Sequence, residues 1–218
     1  MIRLLIQFIR ISRYSPTVIW KNIYYNFISK NIIRDNNSYI YIFPHVIIQL
    51  SKESRIILKG TLHLGIPSIR NNKQVSKLLM NGNSEIIINN KCELLDGFDI
   101  QIHNNGTFQV ENFHSNVNLE VSCGNSIRLE GEVTAGRHVH LKDFNGHFVS
   151  YDNYPISSPI RVENHVWLCT GCTISPGVTI HSGSVISDNS NVINDIPSDS
   201  FCQGNPASIV KNNIKFNI

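Results

Sequence analysis

Residues 162–192 read VENHVW-LCTGCT-ISPGVT-IHSGSV-ISDNSN-V, and their spacing decides the fold. Every sixth residue from Val162 is aliphatic: Leu168, Ile174, Ile180, Ile186 and Val192 follow it. Four places after each of the first five stand Val166, Cys172, Val178, Ser184 and Ser190, all small or β-branched. An amphipathic helix would repeat its apolar face at three and four residues, and a half-buried strand would alternate at two. A period of six with two inward positions per repeat belongs to neither; it marks a solenoid whose repeats each form one side of a coil. Six residues make a flat β side and a tight turn, three sides close a coil of about eighteen residues, and coils stack by parallel pairing.

Working outward, the same rule in another phase catches Leu129, Ala135 and Leu141 with Val133 and Val139 between them. It catches Ile88, Leu94 and Ile100 again, and Leu58 with Leu64. Changes of phase between these blocks predict residues inserted at corners. The longest candidate runs from Asp143 to Ser158, rich in Asn, Tyr, Ser and Pro, and predicts a loop leaving the coil. Asn, Asp and Gly between the apolar pairs suit corners that need positive φ. An antiparallel sandwich would use pairs such as Asn81-Gly82, Asn105-Gly106 and Asn145-Gly146 as hairpin turns, but its strands would alternate at two.

Residues 1–34 have a different character. Leu, Ile, Phe, Trp and Tyr mix with Arg and Lys at three-to-four spacing, with a break at Ser15-Pro16, predicting one or two short amphipathic helices. Their apolar stripe is expected to pack on the rest of the protein. Contact with a neighbouring subunit or with the membrane's inner face, where basic residues favour anionic lipid, stays open beside that reading. Arg3, Arg10 and Arg13 interrupt the run too often for a signal peptide, and nothing is long enough to span a bilayer. The expected organisation is mainly β: a helical extension over 1–37, a parallel β-helix over 38–211 with an extruded loop at about 143–158, and a tail over 212–218.

The composition agrees. The 218 residues are 41% apolar and 16% charged with a formal charge of +3, which suits one folded domain and argues against duplex nucleic acid as the main partner. Five cysteines without paired or zinc-ribbon spacing, Cys169-x-x-Cys172 included, suit reduced thiols in the cytoplasm rather than a metal site.

Pro159–Leu168, Cys172–Ile180, Asp195-Ile196-Pro197 and Gly204-Asn205-Pro206-Ala207 with Lys211 together resemble the C-terminal signature of the hexapeptide-repeat acyltransferases. The resemblance is strong over about residues 120–211 and weaker from about 40. It implies left-handed coils, a homotrimer with active sites between subunits, and acetyl-CoA or another acyl-CoA as donor. The chain is most similar to O-acetyltransferases of cell-surface polysaccharide and related sugars, whose loop opens with Asp and His, as in Asp143-Phe144-Asn145-Gly146-His147. It departs from the family at corners where Gly is usual: Glu163, Cys169, Ser175, His181 and Ser187 stand there.

Acyl transfer from a thioester to a sugar hydroxyl needs a base for the hydroxyl proton and donors for the oxyanion. His147, at the matched loop position, is the candidate base, with Asp143 either orienting it or capping the loop, and Asp152 the next carboxylate to test. The resemblance further implies that Trp167 lines the pantetheine cleft, or else packs between subunits. By the same carry-over the N–H groups of Thr170 and Gly171 serve the oxyanion, Ser187 and Asp188 meet the pantetheine, and Asn205, Pro206 and Lys211 meet adenine and phosphate. Acceptor specificity is expected in residues 66–85 and 143–158, where Tyr151 and Tyr154 could stack on a sugar. His138 and His140, read as alternating outward on one strand, could shape the acceptor cleft. Two rival readings remain: a zinc enzyme similar to the γ-class carbonic anhydrases, drawing on His138, His140 and His147, and a non-catalytic scaffold.

Overall fold

The computed structural model describes residues 2–147 and 156–217. Val162, Leu168, Ile174, Ile180, Ile186 and Val192 are all fully buried, and so are the small residues four places after the first five. The strand register gives the reason. Val162 pairs with Ile180, Leu168 with Ile186 and Ile174 with Val192, each step three hexads along the chain. Each aliphatic therefore rests on its equivalent one coil away, and burying one such side chain contributes about 1.5–3 kcal/mol.

Parallel strands form three faces. The first carries Ile32–Arg34, Arg55–Leu58, the first halves of Glu85–Leu95, Thr107–Ser115 and Ser126–Ala135, then Ile160–Val162 and Thr179–Ile180. The second carries Tyr39–Ile42, Thr61–Ile66, the second halves of those three long strands, Val166–Leu168, Val185–Ile186 and Ser200–Gly204. The third runs from Val46–Leu50 through Ser76–Met80, Asp99–Ile102, Glu120–Cys123, His140–Lys142 and Thr173–Ile174 to Asn191–Val192. The fold is thus a mainly β, three-sided parallel β-helix preceded by a short helical segment. Corners repeat with the period of the columns: His165, Gly171, Gly177, Gly183 and Asn189 all have positive φ. His138 has positive φ too and lies at a corner, so only His140 is on the strand; the two do not alternate along one strand as the sequence suggested.

At each end of the coil stack an edge of the second face is covered. Helix α1 spans Ile2–Ile11 and α2 spans Pro16–Phe27. Asn22 and Asn26, one turn apart on α2, treat the free edge of Tyr39–Ile42 as a neighbouring strand would. The Asn22 amide donates to Ile42 O at 2.8 Å and accepts from Ile42 N at 2.9 Å, and Asn26 does the same to Ile40 at 2.8 and 2.9 Å. An edge that would otherwise template another chain is closed. At the other end Ala207–Asn212 folds back antiparallel on Ser200–Gly204.

Two expected boundaries shift. The coil begins inside the predicted 1–37 extension, because Ile32–Arg34 already pairs with Ile56–Leu58. Residues 66–85 are not one loop, since Ser76–Met80 is a strand of the third face. The tail stays against the coil: Ile214 N donates to Asp199 O at 3.0 Å.

Candidate active site

The strand His140–Lys142 delivers the chain to a corner between the third and first faces, and there Asp143 leaves the coil. The neck of the loop is a short antiparallel ladder. Ser158 N donates to Asp143 O at 3.0 Å, Asn145 N to Ile156 O at 2.9 Å, and Phe144 bridges Ser157. The predicted limits 143 and 158 are therefore bonded to each other. Gly146, at φ +78, turns the chain to His147, which is exposed. Asp152, Tyr151 and Tyr154 lie outside the described residues.

The neck is anchored by groups that the sequence reading did not single out. Asp143 is fully buried. Its Oδ1 accepts from Gly124 N at 2.6 Å, its Oδ2 accepts from Asn125 N at 3.1 Å, and Cys123 Sγ lies 3.4 Å from Oδ2. Burial pushes the carboxyl above its ordinary range, while the N–H donors of Gly124 and Asn125 hold it back. Phe144 lies over Gly124, where a Cβ would come within 2.7 Å of the ring, and its ring meets that of His103 at 4.8 Å. Asp143 and His147 form no hydrogen bond with each other. Asp143 is the cap of the loop, and the reading in which it orients the imidazole is corrected: both its oxygens are turned to the coil beneath.

Next to the neck, the third face carries a shallow groove of about 290 Å³ lined by Asp99, Gln101, Glu120, Ser122, His140 and Lys142. His140 Nδ1 pairs with Glu120 at 3.1 Å and Gln101 donates to Asp99 at 3.0 Å. His138 instead meets the Asn118 amide at 3.1 Å.

The expected cofactor residues fall elsewhere. Trp167 points outward from the second face and is 41% exposed. Phe216 approaches it at 6.4 Å between ring centroids and stacks on His165 at 4.4 Å, so the tail borders the indole, a contact with no signal in the repeat pattern. Thr170 and Gly171 occupy the corner between the second and third faces. Their N–H groups are already used: Thr170 N donates to Asp188 Oδ1 at 2.8 Å and Gly171 N to Arg137 O at 2.7 Å. Both donors therefore have partners in this structure, one of them the side chain of the exposed Asp188. Ser187 N likewise donates to Cys202 O at 2.8 Å, and Asp188, though exposed, is held by Thr170. Asn205 and Pro206 turn the terminal hairpin, with Asn205 Oδ1 accepting from Asn191 at 3.2 Å, and Lys211 is exposed on its last strand.

Cysteine chemistry has no foothold among these groups. All five cysteines are buried and free. Burial, then the charge of Asp188, pushes the Cys169 thiol up to about 12, and burial with Asp143 nearby raises Cys123. Neither is a thiolate at neutral pH.

No family model matches the chain. Over 91 residues it is 31% identical to an Escherichia coli K12 protein provisionally named the colanic acid biosynthesis acetyltransferase WcaF, an overlap of 39% of this chain and 50% of that protein. Over 104 residues it is 32% identical to the galactoside O-acetyltransferase of the same organism, an overlap of 46% of this chain and 51% of the other. The chain spans about half the length of these curated relatives. Among solved structures, the polysialic-acid-specific acetyltransferase NeuO superposes with a TM-score of 0.49 at 20% identity, covering 87% of this chain and 90% of that one.

Proposed function

We propose that the chain is a hexapeptide-repeat acyltransferase that moves an acetyl group from acetyl-CoA to a hydroxyl of a sugar or cell-surface polysaccharide precursor, a reading supported by its partial similarity to acetyltransferases. The observation that carries this reading is the loop neck, which leads to an exposed imidazole and follows directly on the strand whose His140 and Lys142 line a polar groove. His147 accepts the hydroxyl proton as the acceptor oxygen attacks the thioester carbonyl. The C–S bond breaks, the acyl–oxygen bond forms, and the imidazolium returns the proton to the leaving thiolate. The products are an ester and free CoA thiol, with no covalent enzyme intermediate, in keeping with the raised cysteine thiols.

Asp143 is a positioning residue in this scheme: it fixes the neck and so fixes where the imidazole stands. The groove of the third face supplies carboxylate, amide, hydroxyl and ammonium groups suited to a polyhydroxylated acceptor. On the donor side, the exposed indole of Trp167 fits an apolar pantetheine arm, and the exposed ammonium of Lys211 fits a phosphate as a point charge. Ser187, Asp188, Asn205 and Pro206 remain the other donor contacts of this proposal.

His147 and Trp167 lie on different sides of the three-sided coil, at the third-to-first corner and on the second face. That separation supports a homotrimer in which the loop of one subunit meets the donor face of the next. A cytoplasmic location completes the proposal; no helix among the described residues is long and apolar enough to cross a membrane. The test is incubation with acetyl-CoA and a panel of nucleotide sugars and oligosaccharides, reading free thiol and acetylated product. Thiol release that depends on an acceptor supports the assignment, and its absence with every acceptor alongside stoichiometric tight zinc would favour the carbonic-anhydrase-like rival.

A further inference from the structure

The two N-terminal helices turn part of their surface to the coil and leave an apolar face uncovered. Phe8 and Ser12 of the first stretch and Val18, Asn22 and Asn26 of α2 face inward and are buried. On the far side of α2 and its C-cap, Trp20, Tyr24, Phe27 and the capping Ile28 are 57%, 38%, 52% and 51% exposed. Their spacing of i, i+4, i+7 and i+8 places them on one helix face. Phe27 continues into a groove of about 330 Å³ between the helices, which it lines with Leu4, Leu5, Phe8 and Ile23 and no polar residue. Ile2 and Ile6 of α1, both exposed, extend that surface.

Charge identifies what covers it. Residues 1–34 contain six of the chain's nineteen basic residues and none of its sixteen acidic ones. Lys21 and Arg34 are turned to the protein, bonded to Val46 O at 2.9 Å and Asn26 O at 3.0 Å. Arg3, Arg10, Arg13 and Lys30 are exposed. Arg3 and Arg10, seven residues apart, share one side of α1 and adjoin Ile2 and Ile6. A second copy docked through this face would bring like charges together, whereas anionic headgroups would neutralise them. Aromatic rings beside apolar side chains with arginines at the margin are the composition of a helix lying in a bilayer interface.

We infer that the α1–α2 hairpin is a peripheral membrane-binding element that lays Leu5, Trp20, Tyr24 and Phe27 into the headgroup boundary of an anionic bilayer, with Arg3 and Arg10 at lipid phosphates. The inference does not rest on the acyltransferase reading.

The test uses the full chain and sedimentation with vesicles of phosphatidylcholine alone or with about a third phosphatidylglycerol. Partitioning should rise on the order of tenfold with the anionic lipid and fall as salt screens it. In a Trp167→Phe background, which leaves Trp20 as the remaining tryptophan, emission should shift to the blue on binding. Leu5→Glu combined with Phe27→Glu should abolish both signals while the thermal transition is kept, since both side chains are exposed. Equal partitioning to neutral and anionic vesicles, or partitioning unchanged in the double variant, would overturn the inference. So would an absence of vesicle binding with a solution mass that falls in the double variant, which would assign the face to another copy of the chain.

Discussion

Asp143 accepts a 2.6 Å hydrogen bond from the backbone N–H of Gly124, nineteen residues earlier, and so ties the root of the loop to the corner of the preceding coil. Through that bond and the one from Asn125, the root of the loop that leads to His147 is held by a different turn of the chain from its own.

Replacing His147 with Ala should leave the fold intact, because the side chain is exposed and outside the buried columns. Acetyl transfer should fall by about 10²–10⁴-fold, the range for a lost general base. Steady-state kinetics with acetyl-CoA and an accepted sugar, alongside a thermal melt, check both halves. Unchanged turnover would remove His147 from the mechanism.

Gly124→Val should displace Phe144 and with it the neck, since even a Cβ at Gly124 comes within 2.7 Å of the Phe144 ring. The coil does not depend on that contact, so the expected result is reduced kcat with circular dichroism close to the parent's. Rescue by Phe144→Ala in the double variant would identify the clash as the cause.

Asp143 titrates with a definite sign. Its folded pKa lies above the ordinary 3.8 because burial outweighs the N–H donors. Its proton-linked contribution to stability is therefore full below 3.8 and is lost as pH rises through the raised folded value. Asp143→Asn has no charge to bury, so its melting temperature relative to the parent should improve from about pH 4 to about pH 8. A constant difference across that range would show that the carboxylate is not buried as described.

Asn22→Ala should strip Ile42 of both its edge partners and leave a buried N–H and C=O unpaired. The cost of such a group is about 1–3 kcal/mol. Denaturant unfolding reads it, and Asn22→Gln, whose longer amide misplaces both bonds, should not restore the parent value.

Leu168→Ala removes an aliphatic that touches the coils on either side and should cost about 2–5 kcal/mol. Trp167→Ala, next to it but outward, should cost far less stability, and it is expected to raise the KM for acetyl-CoA under the proposed function. The pair separates the inward from the outward role on one strand.

The columns were legible because burial repeats. An inward residue must match its equivalents above and below, so the aliphatic identity recurs every six residues from Val162 to Val192 and can be read without knowing which coil meets which. The loop was legible for the complementary reason: residues 143–158 break that rule. The carboxylate and the amide donors were not. Asp143, Thr170 and Gly171 look alike as free polar groups in the linear sequence, yet each is bonded to a residue of another coil, at Gly124, Asp188 and Arg137. The same holds for Asn22 and Asn26, which read as ordinary polar positions in an amphipathic helix and prove to be edge partners of a strand.

By itself the amino-acid sequence determined the six-residue period, the buried columns, the loop's limits and the exposed imidazole's place near its start, since each of these is a local pattern. Only the tertiary structure decided which polar groups already have partners on another coil. Hydrogen bonds between coils join residues that the chain separates by a full turn, and a donor already spent on a neighbouring coil is indistinguishable in sequence from one left open.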